Sequence, residues 1–231
     1  LESEISNLRP PLLRLDPVRD LYAELLFHTG RFQRLLGYRL LRAKECVAEI
    51  KLDAGAAWFG RYLPADLALG DPGARDAAIH AIQACIPHRR LLPVGVEEIT
   101  IGQTASLSRA RGPLLVHARE RSREGDTFTY DMEILTDEGV ELERWLGLRL
   151  RVVEPLRRET PWPAALLGPY LERCLEELVP SARVSVAVEQ CGDPRRPARS
   201  DRAIQRVLGA GQRVHRRPDG RPETNGEQHV S

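Results

Sequence analysis

Along the chain the spacing of apolar positions switches repeatedly between a helical and an extended period, and the switches mark out the elements. Residues 20–27 give a short helix, and residues 28–33 a glycine-containing bend. Over residues 37–52 the period becomes two: Cys46, Ala48, Ile50 and Leu52 alternate with Glu45, Val47, Glu49 and Lys51. One apolar face and one mostly charged face predict a strand in an antiparallel sheet with a wet side. Residues 70–87 return to a helical period, where Asp71 suits an N-cap, Pro72 the first helical position and Pro87 a stop, predicting about four turns. Residues 94–101 and 114–119 are the next strands. Phe128, Tyr130, Met132 and Ile134 then alternate with Thr127, Thr129, Asp131 and Glu133; Asp137-Glu138-Gly139 turns the chain, and Leu146, Leu148, Leu150 and Val152 alternate with Gly147, Arg149 and Arg151 on the way back.

The helix of residues 70–87 stands apart. From Asp76 to Ile86 it carries no Lys, Arg or Glu, and Ala78, Ile82, Cys85 and Ile86 share one broad side, so it is expected to be buried on most sides. Asp76, His80 and Gln83 follow at i, i+4 and i+7 and stack three polar groups in one stripe. That stripe is either the solvent side of a half-exposed helix or a polar seam in a buried one, and the lack of long charged side chains speaks for the second. A buried carboxylate needs a partner, and His80 is one turn away. Burial is expected to raise the Asp76 pKa and let the carboxyl act as an acid near neutral pH. One buried helix followed by a long antiparallel meander predicts an α+β chain of hot dog type, an antiparallel sheet wrapped around a central helix.

At Glu154-Pro155 the texture changes, and Pro161-Trp162-Pro163 marks a boundary. Leu167, Leu171, Cys174, Leu175 and Leu178 form a further helical stripe; residues 183–188 predict a short strand, 192–199 a loop and 200–208 a helix, before a turn-rich tail. The chain thus divides into a linker (1–16), a hot dog (17–155) and an incomplete α+β segment (156–231). With 34 Lys and Arg against 33 Asp and Glu, net charge +1, nothing in the balance favours nucleic acid. The four cysteines are widely spaced without a C-x-x-C pair, which predicts reduced thiols and no zinc site. No apolar run reaches the length of a membrane span, and no signal-peptide layout opens the chain, so a cytoplasmic protein is expected. Both ends read as cuts through a longer polypeptide.

Gly70-Asp71-Pro72-Gly73-Ala74-Arg75-Asp76-Ala77-Ala78-Ile79-His80 resembles the aspartate motif of polyketide synthase dehydratase domains, in which His or Gln follows the aspartate by four residues. Leu26-Phe27-His28-Thr29-Gly30-Arg31-Phe32-Gln33 is similar to the Tyr-Gly-Pro-x-Phe-Gln segment that opens the second hot dog of those domains, and residues 86–94 resemble the strand entry after the helix. The resemblance covers residues 21–153 and is nearest to iterative synthases of enediyne type. It implies the second half of a double hot dog that dehydrates β-hydroxyacyl chains held on the phosphopantetheine of an acyl carrier protein. By it Asp76 is the general acid, His80 orients Asp76, and His28, Phe32, Gln33 and Gln83 bind substrate, His28 standing where the family has Tyr. The family's partner histidine, in a His-x-x-x-Gly-x-x-x-x-Pro run of the first hot dog, has no counterpart here, since neither His28, His88 nor His117 has the downstream Gly and Pro. The fragment is therefore expected to be inactive alone, to hold no metal or cofactor, and to belong to a homodimeric synthase. Residues 217–222, Arg-Pro-Asp-Gly-Arg-Pro, with Val230-Ser231, resemble the start of a phosphopantetheinyl transferase, or are simply a β-turn. Two further readings stay open: a hot dog thioesterase using Asp76 as base or nucleophile, and a non-catalytic docking or dimerisation module in which Asp76 and His80 are a core pair.

Overall fold

The structure is a computed structural model that describes residues 10–53, 58, 71–102, 107, 110–158, 160–179 and 184–186. Its strands are β1 (Leu35–Leu41), β2 (Glu45–Lys51), β3 (Arg89–Gly95), β4 (Glu98–Ile101), β5 (Pro113–Glu124), β6 (Thr127–Thr136) and β7 (Glu141–Pro155). They form one sheet in the order β1-β2-β5-β6-β7-β3, with β4 also paired to β7. Every pairing is antiparallel. Helix α1 (Pro72–Gln83) packs against β1, β2, β3 and β5. The sheet curls about this helix, which is the hot dog fold.

A helix enclosed on several sides must let backbone approach closely, and α1 does so with alanine. Ala74, Ala77, Ala78 and Ala81, and Ala84 just beyond, are fully buried, while Ile82 and Ile86 fill the wider gaps. Tyr38 of β1 donates its hydroxyl to the Ala81 carbonyl at 3.0 Å, tying sheet to helix. Asp71 caps the helix as its position predicts: its Oδ1 accepts from Gly73 N–H at 2.9 Å. Its Oδ2 takes the guanidinium of the buried Arg34.

Five elements differ from expectation, the first being the helix over residues 20–27, which is instead a π-helical turn over Pro17–Tyr22 capped by Asp16. Residues 37–52 are a hairpin rather than one strand, because the turn at Arg42-Ala43-Lys44 carries no turn residue and is held from outside. Glu172 accepts from Ala43 N–H at 2.7 Å, and Arg173 donates to the Ala43 carbonyl. α1 stops at Gln83, several residues short of Pro87, as the chain tightens through Cys85 N–H to Ile82 O and Ile86 N–H to Gln83 O. Residues 94–101 split into β3 and β4 opposite Gly147, whose φ of 64° kinks β7; a Cβ there would meet the Glu97 carboxyl at 2.2 Å. Val184–Val186, the described part of the 183–188 stretch, form no strand. The Val186 N–H goes instead to Glu172.

The change of texture at Glu154-Pro155 is not a break in packing. Helix α2 (Ala164–Leu178) belongs to the same compact unit as the sheet, with Leu166 in its core and Glu172 and Arg173 buried. Arg173 also reaches Glu120 of β5 and, at 3.1 Å, the Tyr130 hydroxyl of β6. Residues 191–231, with the predicted helix at 200–208 and the Arg-Pro-Asp-Gly-Arg-Pro segment, lie outside the described residues. Among the described residues no helix is long and apolar enough to cross a membrane.

Candidate active site

The polar stripe of α1 lies on one wall of a cavity of about 240 Å³. Asp76, Ile79, His80 and Gln83 come from the helix, Leu25 to His28 from the segment before β1, Leu91, Leu92 and Pro93 from β3, and Leu150 from β7. Arg90 of β3 completes the lining, so the cavity is mostly apolar with a few polar groups, on the helix, at His28 and at Arg90, the arrangement expected of a small-molecule site.

Of the two readings left open by the sequence, the geometry selects the seam. His80 is 4% exposed, and its Nε2 lies 3.2 Å from Asp76 Oδ2, close but off the axis of a well-aligned hydrogen bond. The Asp76 side chain keeps 33% of its exposure, on the cavity side. His28 enters from the segment before β1, its Nε2 3.8 Å from the same Oδ2 and its ring centroid 3.8 Å from that of His80. Phe27 stacks on the outer face of His28 with centroids 4.1 Å apart. The three ligand-capable atoms of His28, Asp76 and His80 lie within 4.8 Å of one another.

The expected rise in the Asp76 pKa is corrected. Burial pulls the carboxyl upward, but the hydrogen-bonding and charge of His80, together with the charges of His28 and Arg34, pull it further down, and it ends below its ordinary value. His28 is also lowered, first by burial and then by the neighbouring His80, against the opposing pull of Asp76. At rest near neutral pH the site therefore holds a carboxylate beside an uncharged His28.

The remaining sequence-predicted site residues divide. Gln83 faces the cavity, yet its amide is engaged by the backbone: Nε2 donates to the Ile86 and Arg89 carbonyls at 3.0 and 2.7 Å, and Oε1 accepts from Leu91 N–H at 3.0 Å. It fixes the turn from α1 into β3 and has no donor left for a ligand. Phe32 and Gln33 do not line the cavity. Phe32 lies against Trp58, and Gln33 donates to the His28 carbonyl at 3.1 Å, holding the bend that presents His28.

Two residues that sequence reasoning passed over support the site. Tyr22, at the end of the single π-helical turn Pro17–Tyr22, places its hydroxyl 3.4 Å from His80 Nδ1. Arg34, buried, donates to the Arg31 carbonyl at 2.7 Å and to Asp71, joining the bend to the start of α1. Tyr22 lies in the run 20–27 read as a short helix and Arg34 among several arginines, and nothing in either spacing marks the one residue that meets the site.

A model of the family described as "Polyketide synthase dehydratase N-terminal domain" matches residues 2–160. No curated protein matches the chain in sequence. Among solved structures, the dehydratase domain of PpsC from Mycobacterium tuberculosis, in complex with C12:1-CoA, is 18% identical, covers 63% of this chain and 54% of its own, and superposes with a TM-score of 0.48. The dehydratase domain of RzxB from Pseudomonas fluorescens is 18% identical over 62% of this chain and 54% of its own, with a TM-score of 0.43. The dehydratase domain of a mycocerosic acid synthase-like polyketide synthase is 22% identical over 54% and 42%, with a TM-score of 0.42. The chain spans about half the length of these solved chains. With the family model matched across more than half of its residues, the chain belongs to the polyketide synthase dehydratase family.

Proposed function

We propose that this chain is the second hot dog of a polyketide synthase dehydratase and supplies the acid side of a site that removes water from a β-hydroxyacyl chain carried on the phosphopantetheine of an acyl carrier protein. The observation that carries the reading is Asp76 on the buried helix, facing an apolar cavity with His80 one turn on. The matching family model is described as an N-terminal domain. We place the chain in the second half because the Asp-x-x-x-His motif is present and the His-x-x-x-Gly-x-x-x-x-Pro run is not.

In the reaction a histidine of the complementary half removes the α-proton, the C–H electron pair forms the double bond, and Asp76 gives its proton to the β-hydroxyl, which leaves as water. Asp76 must then be protonated before it acts. An acyl chain filling the cavity displaces water from its exposed third, adds to the burial that already pulls the carboxyl upward, and brings it toward the acid form. His28 contacts the acyl chain, while Phe32, Gln33 and Gln83 hold the bend and the turn around it. The parent we infer is a homodimeric, cytoplasmic, iterative synthase of enediyne type, with residues 156–231 leading into a phosphopantetheinyl transferase.

Asp76→Asn in the full-length synthase is expected to lower dehydration by about 10²–10⁴-fold with an unchanged circular dichroism spectrum. Wild-type dehydration rates in that variant would overturn the role of Asp76. Residues 1–231 alone are expected to give no turnover of a β-hydroxyacyl thioester. The low-lying Asp76 carboxyl supports one other reading, a thioesterase with the carboxylate as base; hydrolysis of an acyl thioester by this chain would select it.

A further inference from the structure

The hydroxyl of Tyr22 decides more of the site than its position behind His80 suggests. A phenol oxygen has two lone pairs and one proton. Both lone pairs are taken by backbone, with Arg34 N–H donating at 3.1 Å and Leu35 N–H at 3.2 Å. These amides lie at the entry to β1, where the Leu35↔Ile50 pairing and the Lys51 N–H donating to the Arg34 carbonyl at 2.9 Å hold the backbone. The phenol proton has two acceptors in reach, the Phe32 carbonyl at 3.3 Å and His80 Nδ1 at 3.4 Å. Tyr22 and His80 are both buried.

A hydrogen on His80 Nδ1 would face an oxygen with no lone pair to offer. We propose that Tyr22 is a positioning residue that holds His80 as the tautomer with a bare Nδ1 and a protonated Nε2, so that the imidazole donates toward Asp76 Oδ2. The proposal rests on the reading of Asp76 as the reacting carboxyl. Donors and acceptors then run one way, from the β1 amides through the Tyr22 hydroxyl and the His80 ring to Asp76. His80 and His28 both sit on Oδ2, at 3.2 and 3.8 Å, which leaves Oδ1 to meet the substrate hydroxyl.

The same arrangement separates this site from a metal centre. Two imidazoles and a carboxylate within 4.8 Å make a donor set suited to a divalent cation. A cation needs the lone pair of His80 Nε2, and the Tyr22 lock puts a proton there.

The test is a long-range ¹H–¹⁵N correlation spectrum of the imidazole rings in the ¹⁵N-labelled 231-residue chain, with the His80 signals identified by their loss in His80→Gln. The expected result is a protonated Nε2 and a bare Nδ1, unchanged when zinc is added in twofold excess. In Tyr22→Phe the two tautomers are expected in comparable amounts. A native chain with His80 protonated on Nδ1, a saturable shift of Nε2 with zinc, or a Tyr22→Phe variant that keeps the native tautomer would each overturn the proposal. If Tyr22→Phe fails to fold, the native spectrum alone decides. The ring nitrogens report the tautomer whether or not the parent synthase dehydrates, so this outcome and that of the activity test are separate.

Discussion

Gln83 shows how one side chain can belong to a cavity wall and still be occupied elsewhere. Its amide replaces three backbone partners where α1 ends and β3 begins, so Gln83→Leu is nearly isosteric yet leaves the Leu91 N–H and the Arg89 carbonyl short of a partner, while the Ile86 carbonyl keeps the Arg89 N–H. Buried groups left unpaired cost about 1–3 kcal/mol each, and urea unfolding is expected to show a loss of about 2–4 kcal/mol. A loss under about 0.5 kcal/mol would mean that the turn does not depend on Gln83. This was legible only in part. The i, i+4, i+7 spacing put Asp76, His80 and Gln83 on one stripe, but spacing does not say which members of a stripe face a ligand and which face the next loop. The Asp76 pKa failed for a related reason: burial was readable from the missing charged residues, whereas the opposing pull of His28 and Arg34 comes from other elements, 48 and 42 residues away in sequence.

At the scale of elements, α1 is positioned by two ion pairs at its first turn. Arg34 takes Asp71 from the bend, and Arg75 reaches Glu143 of β7, with Nη2 at 2.6 Å from Oε1 and Nε at 3.0 Å from Oε2. Glu143 is 1% exposed and also accepts from Trp145 Nε1 at 3.0 Å. Arg75→Met keeps the stem but strands a buried carboxylate, and is expected to destabilise by about 3 kcal/mol. The double variant with Glu143→Leu is expected to recover much of that loss, and a simple sum of the two single effects would argue against coupling. Gly73 sits under the Arg34 guanidinium, where a Cβ would meet Cζ at 2.7 Å. Alanine in a helix usually gains about 0.5–1 kcal/mol over glycine. Here the buried arginine is pinned by Asp71 and the Arg31 carbonyl, so Gly73→Ala is expected to destabilise by about 1 kcal/mol or more, read from the shift in urea midpoint. The cap, the proline start and the alanine-rich body of this helix were legible as local signals. The hairpin turn at Ala43 was not, because Glu172 and Arg173, about 130 residues later, hold it in place of any turn residue.

For the whole molecule the groups with depressed pKa values make acid the destabilising direction. His88 is lowered to about 4, first by burial and then by the charge of Arg89, partly offset by Glu177; it rests against Tyr170, which in turn stacks on Trp162. The unfolded chain titrates this histidine near 6.5, so between about 6.5 and 4 it binds more protons than the folded one, and stability rises with pH across that window. His28 is depressed too and acts in the same sense. Asp20, Glu45 and Asp76 are lowered from ordinary carboxyl values; burial alone would raise each, but their cationic or imidazole partners prevail, so they extend the loss to lower pH. Acid unfolding is therefore expected in two stages, histidines first and carboxylates below them. His88→Gln removes the larger histidine contribution without adding a charge. Urea unfolding of the variant between pH 6.5 and 4.5 is expected to give a visibly flatter dependence than the native chain, whose slope from one such proton is at most about 1.4 kcal/mol per pH unit. Parallel curves for the two proteins would place the acid limb elsewhere, in the carboxylates or in His28, and Asp76→Asn would then be the next variant to compare.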